Sequence, residues 1–573
     1  MFSRLKRFIK LIVITAAAVS ASALLRDHTF LQMPVQETEA HRRRLPVVPD
    51  APEEPVSQEP SAMLALQYEM NIDLDTDKDS MNQTTVITLK NNTEETADFI
   101  YLRYNPTGLI DYCKDQFKNR LKFNKDKYAE LRSVKIEGYA EPLPITFSHG
   151  STAVLVNLDQ RPVEPGETVQ LTVESYTDIP DAEVKFSVIR KNLGKFYKLV
   201  FCYPYLEYNR EGAWYVNPPS FRHVGENRNP DLSNYRVNVK APDNFRIASP
   251  GTQLKKGDTI TIVADNCRDF AMFASDYMGV DTFDCEGVTV HSYYLKEGAV
   301  EDYRSLSKQF AEDAVAGYTE LLGPLGRNEF SLVEGFNGME YSGIVEIIGS
   351  AFYRNNPAGY LEAYKNITHE IGHLWVFDTV GNYEYSEGWI DEGFVSYLTK
   401  DEILSTYSRS YDLIHERYPR ARTAEQYARD QRNEIEKMAS DVKNRKTYTL
   451  LGSESLVEKS ALLALDPGDS VYATSGVKEY FYSRVAFARL KKLMGEQEFH
   501  DFLHEFYNTF KWKITDTDDI IEIARKHCDD PDLEKQIRFW FPGAAPAPEP
   551  QEDNVNIIRQ RLKEPSAATE EAL

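Results

Sequence analysis

The chain is short of cysteine, short of basic charge and short of long apolar runs, and each shortage excludes something. Five cysteines (Cys113, Cys202, Cys267, Cys285 and Cys528) lie scattered over 573 residues with no C-x-x-C pair. That spacing excludes a disulfide framework and a thiolate metal site. Mostly buried free thiols are expected, with one bridge left open for an exported protein. Lys and Arg number 66 against 89 Asp and Glu, a net charge of −23. A nucleic-acid partner needs a basic footprint, so that class is set aside. The apolar run at residues 11–25 is 15 residues long, short of the roughly 20 that cross a bilayer as a helix. No internal repeat is found.

What is present divides the chain into segments. Arg4, Lys6, Arg7 and Lys10 precede the apolar run, and Ala21-Ser22-Ala23 closes it. This order predicts a secretory signal or an uncleaved signal-anchor over residues 1–25. The protein is therefore expected to be exported and extracytoplasmic, either secreted or tethered to a membrane by that segment. Residues 26–62, rich in Pro and Glu, read as an extended linker. From residue 63 the period becomes two: Leu66, Tyr68, Met70, Ile72 and Leu74, then Val169, Leu171 and Val173, then Tyr235, Val237 and Val239. Short alternating strands predict a β-rich domain over 63–285. Helical spacing takes over at Tyr303, Leu306, Phe310, Ala314 and Leu321 and stops at Gly323-Pro324. A second domain is placed at 286–542, with a polar surface helix inserted near 423–446. The Ala/Pro/Glu-rich tail at 543–573 reads as disordered. The sequons at Asn82, Asn91 and Asn366 are read as coincidental.

The chemistry concentrates in His369-Glu370-Ile371-Gly372-His373. Two histidines four apart on a helix leave the same face and can share one Zn²⁺, with Glu370 beside the metal where a water sits. A catalytic zinc needs a third protein ligand and an open position. Eighteen residues separate His373 from Glu392, enough for a turn and a second helix that returns a carboxylate. Ala363, Tyr364, Ile367, Ile371, Leu374 and Trp375 recur at helical spacing, so the segment is predicted to be a helix with a buried face.

At these residues the chain resembles the aminopeptidase N family of gluzincin zinc peptidases, which includes the leukotriene hydrolase branch. Glu392 lies in Trp389-Ile390-Asp391-Glu392-Gly393-Phe394, with Asp391 where that family usually has Asn. Gly338-Met339-Glu340-Tyr341 is similar to the family's G-x-M-E-N, with Tyr in place of Asn. Tyr482-Ser483-Arg484-Val485-Ala486 stands where the family has a tyrosine at a helix start, although Tyr472 and Tyr480 lie close by. The resemblance runs roughly from residue 66 to residue 542. It departs in two ways. The chain is expected to lack the family's C-terminal helical domain, which roofs the site, and Thr399 occupies the place of a carboxylate that often follows the third ligand by seven residues.

The resemblance implies a multidomain α+β fold, an all-β saddle-like domain followed by a mainly α, thermolysin-like catalytic domain. It implies one zinc per chain on His369, His373 and Glu392, with Glu370 as general base and Tyr482 as a donor to the developing oxyanion. It also implies that Glu340, with Gly338 and Met339 beside it, binds the α-amine of peptides with a free N-terminus. Three readings stay open: an exported zinc aminopeptidase, a zinc endopeptidase or oligopeptidase with an open cleft, and a non-catalytic peptide-binding protein at a membrane surface.

Overall fold

The structure, a computed structural model, describes residues 61–116, 128–148, 152–182, 184–210, 213–216, 228–406, 409–443, 483–531, 533–534 and 537. The segments expected to be a signal (1–25), most of the linker (26–62) and the tail (543–573) lie outside the described residues, as does Tyr482.

The alternating sequences form the strands expected of them. A seven-stranded sheet runs from Thr252–Lys256 at one edge through Thr259–Cys267, Ser233–Lys240, Met63–Asp75, Ser80–Asn91 and Thr168–Asp178 to Ala129–Ile136. In Met63–Asp75 the residues Tyr68, Met70, Ile72 and Leu74 are buried and those between them point outward, as a period of two requires. Two four-stranded sheets pack with it around a common apolar core. One helix, Asn105–Gln116, interrupts the region expected to be all β. Pro106 pre-sets the first turn, and Leu109, Ile110 and Cys113 bury one helical face.

A five-stranded sheet carries the next section, in the order Met278–Cys285, Val288–Leu295, Glu329–Gly335, Ile344–Ile348 and Met339–Tyr341. The expected change-over at 285–286 falls in the turn between the first two of these strands, which pair from Met278↔Leu295 to Cys285↔Val288. Ladder hydrogen bonds therefore keep residues 278–285 with the second half of the chain. Among the described residues Met339–Tyr341 pairs with Ile344–Ile348 alone and forms the edge.

Helices pack on this sheet around a second core. Val300–Leu322 buries Tyr303, Phe310, Ala314 and Tyr318 and lies on the helix Pro357–Gly372, where the rings of Phe310 and Tyr364 stand 4.9 Å apart. Asn356 caps that second helix by accepting from the Gly359 N–H, with Pro357 in the first turn. Trp389–Tyr397 packs on Ser483–Met494 and Glu496–Phe510 through Phe394, whose ring lies 4.3 Å from Phe487 and 4.5 Å from Phe506. Each such fully buried ring contributes roughly 1.5–3 kcal/mol. The polar stretch after residue 423 is the helix Ala424–Lys443. All five cysteines are free, four of them buried. Among the described residues no helix is long and apolar enough to cross a membrane.

Candidate active site

His369 sits in the last turn of the Pro357–Gly372 helix, and His373 caps it with φ −65° and ψ −13°. The chain then turns sharply, and the turn is fixed from several sides. Trp375 is fully buried, stacks on Tyr318 and donates to the Gly323 carbonyl at 2.8 Å. Arg327 donates from Nε and Nη2 to the two oxygens of the Asp378 carboxylate, and Arg268 donates to the carbonyls of Asp378 and Thr379. The helix that follows, Trp389–Tyr397, brings Glu392 back to the histidines.

The three donor atoms form a triangle. His369 Nε2 and His373 Nε2 are 3.3 Å apart, and Glu392 Oε2 lies 3.1 Å from the first and 3.5 Å from the second. Ligands bound at about 2.0–2.1 Å to a tetrahedral Zn²⁺ stand about 3.3–3.4 Å apart, so this triangle has the size of one tetrahedral face. His373 Nδ1 lies 3.3 Å from the Val376 carbonyl. Donating there leaves the Nε2 lone pair for a metal, the usual orienting contact for a metal-bound imidazole. Burial alone would lower His373; the Glu392 carboxylate overrides it and pushes the imidazole up to about 10. Burial holds His369 below its ordinary value, partly offset by Glu392. Two imidazoles and a carboxylate gathered this closely fit a zinc ion.

Glu370 lies between the ligands in sequence and beside them in space. Its Oε1 accepts from Asn366 Nδ2 at 2.8 Å, whereas its buried Oε2 has no hydrogen-bond partner among the described residues. Burial raises its pKa well above the ordinary carboxylate range. A carboxyl with one anchored oxygen and one open oxygen is suited to moving a proton.

Facing it is the edge strand. Carboxylate oxygens of Glu340 and Glu370 and a ring nitrogen of His373 all lie within 4.8 Å of one another. Gly338 stands against Glu370: a Cβ there would meet Asn366 Nδ2 at 2.1 Å and Glu370 Oε1 at 2.4 Å. Its lack of a side chain thus makes room for those two groups. Met339 is half-buried at the start of the strand.

Sequence reasoning missed what holds Glu340. The guanidinium of Arg228, 5% exposed, donates to Glu340 Oε1 at 2.6 Å and to Glu384 at 2.8 and 3.0 Å, and pairs with Asp269. Its Cζ lies over the Phe377 ring, 3.7 Å from the centroid. Phe377 has φ 126°, a strained conformation for a bulky residue that the packed turn enforces. Three carboxylates meet one guanidinium, so the cluster keeps an excess of acid beside the edge strand. Nothing local in the sequence signals Arg228, because it lies 112 positions from Glu340. Asn366 was within reach, since it stands one helical turn before Glu370.

Three further residues near the site are placed as follows. Asp391 is buried and accepts from the Glu392 N–H at 2.8 Å, with its pKa raised by burial and then by the charges of Glu384 and Glu392. Glu387 is engaged by Trp389 and Thr517. Thr399 is buried and bonded to the Tyr318 hydroxyl at 2.8 Å.

Residues 333–540 match the peptidase family M1 domain, a segment that contains Glu340, His369, Glu370, His373 and Glu392. Among solved structures, a mutant of the M1 zinc metallopeptidase from Deinococcus radiodurans is similar with a TM-score of 0.52 at 14% identity, covering 85% of this chain and 96% of that one. A mutant of that enzyme bound to Tyr-Ser-Ala substrate matches at 0.51 and 15%, over the same shares of both chains. So does a two-domain M1 zinc metallopeptidase mutant bound to L-tryptophan, at 0.51 and 15%, again with 85% and 96% covered. At such identity these likenesses speak to the fold: strand-rich first half, helical second half.

Proposed function

We propose that this chain, whose residues 333–540 match the peptidase family M1 domain, is a zinc aminopeptidase, removing residues from peptides with a free N-terminus. The observation that carries this reading is the position of Glu340. It stands on an edge strand, close to Glu370, in a cluster with more carboxylates than cations. An α-ammonium is drawn to such a place, and the strand edge offers a ladder for the peptide backbone. The similar structure bound to Tyr-Ser-Ala substrate supports short peptides as the substrate class.

His369, His373 and Glu392 would hold the zinc, which when bound polarises the scissile carbonyl and acidifies water. Glu370 takes the proton of the attacking water at Oε2 and returns a proton to the leaving nitrogen. Glu340 fixes the α-ammonium, so that only the first peptide bond reaches Glu370. Tyr482 donates to the carbonyl oxygen as negative charge gathers on it.

One observation favours a second reading. Arg228 already pairs with Glu340, which would leave that carboxylate a structural part and the enzyme an endopeptidase. Peptides with free and acetylated N-termini, digested by the full chain and read by mass spectrometry, separate the two. Acetylated peptides are expected to be poor substrates. Glu340→Ala is expected to weaken turnover of free-amine peptides by about 10–100-fold, the equivalent of a charge-assisted hydrogen bond of roughly 1.5–3 kcal/mol. Internal cleavage of acetylated peptides at the wild-type rate for free ones would replace the aminopeptidase reading with the endopeptidase one.

The basic and apolar start of the chain supports export, with residues 1–25 as signal or anchor. Cell fractionation with N-terminal sequencing of the mature protein tests it; a cytosolic protein that retains Met1 would refute it.

A further inference from the structure

Asn366 opens a sequon, Asn366-Ile367-Thr368, that the catalytic scheme does not use. It lies four residues before Glu370 on the Pro357–Gly372 helix, so the two side chains share a face. Its amide is engaged on both sides. Oδ1 accepts from the Ile348 backbone N–H at 2.8 Å, and Nδ2 donates to Glu370 Oε1 at 2.8 Å. The orientation of the amide follows from chemistry, since a backbone N–H can only donate. The carbonyl oxygen must face Ile348, and the NH₂ is left for the carboxylate. Ile348 ends the strand Ile344–Ile348, whose neighbour Met339–Tyr341 carries Glu340. Gly338 supplies the space for the contact, because any Cβ there would overlap both Asn366 Nδ2 and Glu370 Oε1.

We propose that Asn366 is a positioning residue for the reaction, locking the Glu370 carboxylate against the edge of the sheet so that Oε1 is anchored and Oε2 is the oxygen that handles the proton. This rests on Glu370 being the general base. Free to rotate, the carboxylate would spread over several orientations of which few are productive, and misplacement on the order of 1 Å costs about 10²-fold in rate. Ile348 ties the amide to the strand beside the one that holds Glu340. The group that would take the ammonium and the group that takes the proton are thereby set at a fixed spacing. The same engagement leaves no room for a glycan on this sequon in the folded protein.

Two variants test the proposal together with Glu370→Gln. Asn366→Asp keeps an acceptor for Ile348 and replaces the donor to Glu370 with a carboxylate. Asn366→Leu removes both contacts at similar volume. For each, kcat, KM, zinc per chain and the thermal midpoint are measured on the full chain. In both variants kcat is expected to fall about 10–100-fold, with KM within about threefold of wild type and zinc near one per chain. In the double variant Asn366→Leu with Glu370→Gln, the residual rate is expected to equal that of Glu370→Gln alone, because the amide then has no base to orient. Wild-type kcat in Asn366→Asp, or a further fall in the double variant, would overturn the proposal. So would zinc loss parallel to the loss of rate. A fully active Glu370→Gln is a different failure: it removes the base itself, and the positioning role with it.

Discussion

Two carboxylates face each other across this site, and they are held in opposite ways. Glu370 is fixed by its own helix: Asn366 anchors it from one turn away, and His369 and His373 flank it in sequence. Glu340 is fixed from far off, by Arg228, which also gathers Glu384 and Asp269 and rests on the strained Phe377. In the first arrangement Asn366 and Glu370 share a helix face because of 3.6 residues per turn, and the strand end at Ile348 then orients the Asn366 amide. The second exists only once the strand-rich half has docked on the helical half, since Arg228 and Asp269 come from one and Glu384 from the other. The surroundings of Glu370 are thus set mainly within one helix, and those of Glu340 by the assembled fold.

The largest expected effects come from breaking the helix-borne side. Glu370→Gln should lower kcat by about 10³-fold or more while metal analysis still finds zinc near one per chain. Glu392→Ala or His373→Ala should instead lose the zinc, because a two-ligand site holds it poorly. Full zinc occupancy in Glu392→Ala would place the third ligand elsewhere. Tyr482→Phe tests the carbonyl between the two sides, with kcat expected to fall on the order of 10²–10³-fold and zinc retained. The same loss in Tyr480→Phe, with Tyr482→Phe unaffected, would move that role by two residues.

Breaking the assembled side should look different. Arg228→Met leaves three buried carboxylates without their cation, and removing one member of a buried ionic cluster costs roughly 3–5 kcal/mol. The thermal midpoint should drop clearly, and KM for free-amine peptides should rise more than kcat falls. An unchanged midpoint together with an unchanged KM would show that Arg228 neither braces the halves nor holds Glu340. The smallest effect is expected from Thr399→Val. It removes the hydrogen bond to Tyr318, worth about 1 kcal/mol, and should leave zinc content unchanged. Zinc loss there would mean that Thr399 supports the metal in the way a carboxylate does at that position in the family it resembles.

How much was legible follows the same division. The spacing of His369 and His373 marked a shared helix face, and Glu392 lies within 3.5 Å of both imidazoles. The alternation at Tyr68, Met70, Ile72 and Leu74 marked a strand with one buried face. The change-over at 285–286 was misplaced because strand periodicity does not reveal partners, and Met278–Cys285 pairs forward with Val288–Leu295. The helix Asn105–Gln116 was overlooked within a strand-rich region, although Pro106, Leu109, Ile110 and Cys113 carry its pattern.

By itself the sequence determined the helix face that carries His369 and His373, the position of Glu370 beside it and the succession of strand-rich and helical halves. These rest on repeats of two and of 3.6 residues, which the backbone imposes on any chain. Only the tertiary structure decided that Gly338 makes room for Asn366 and Glu370, that Arg228 grips Glu340, and that the Glu340 strand is an edge. Those facts depend on which surfaces meet after folding. Buried charges separated by 112 positions find each other through the packing of two cores, and no local period records such a meeting.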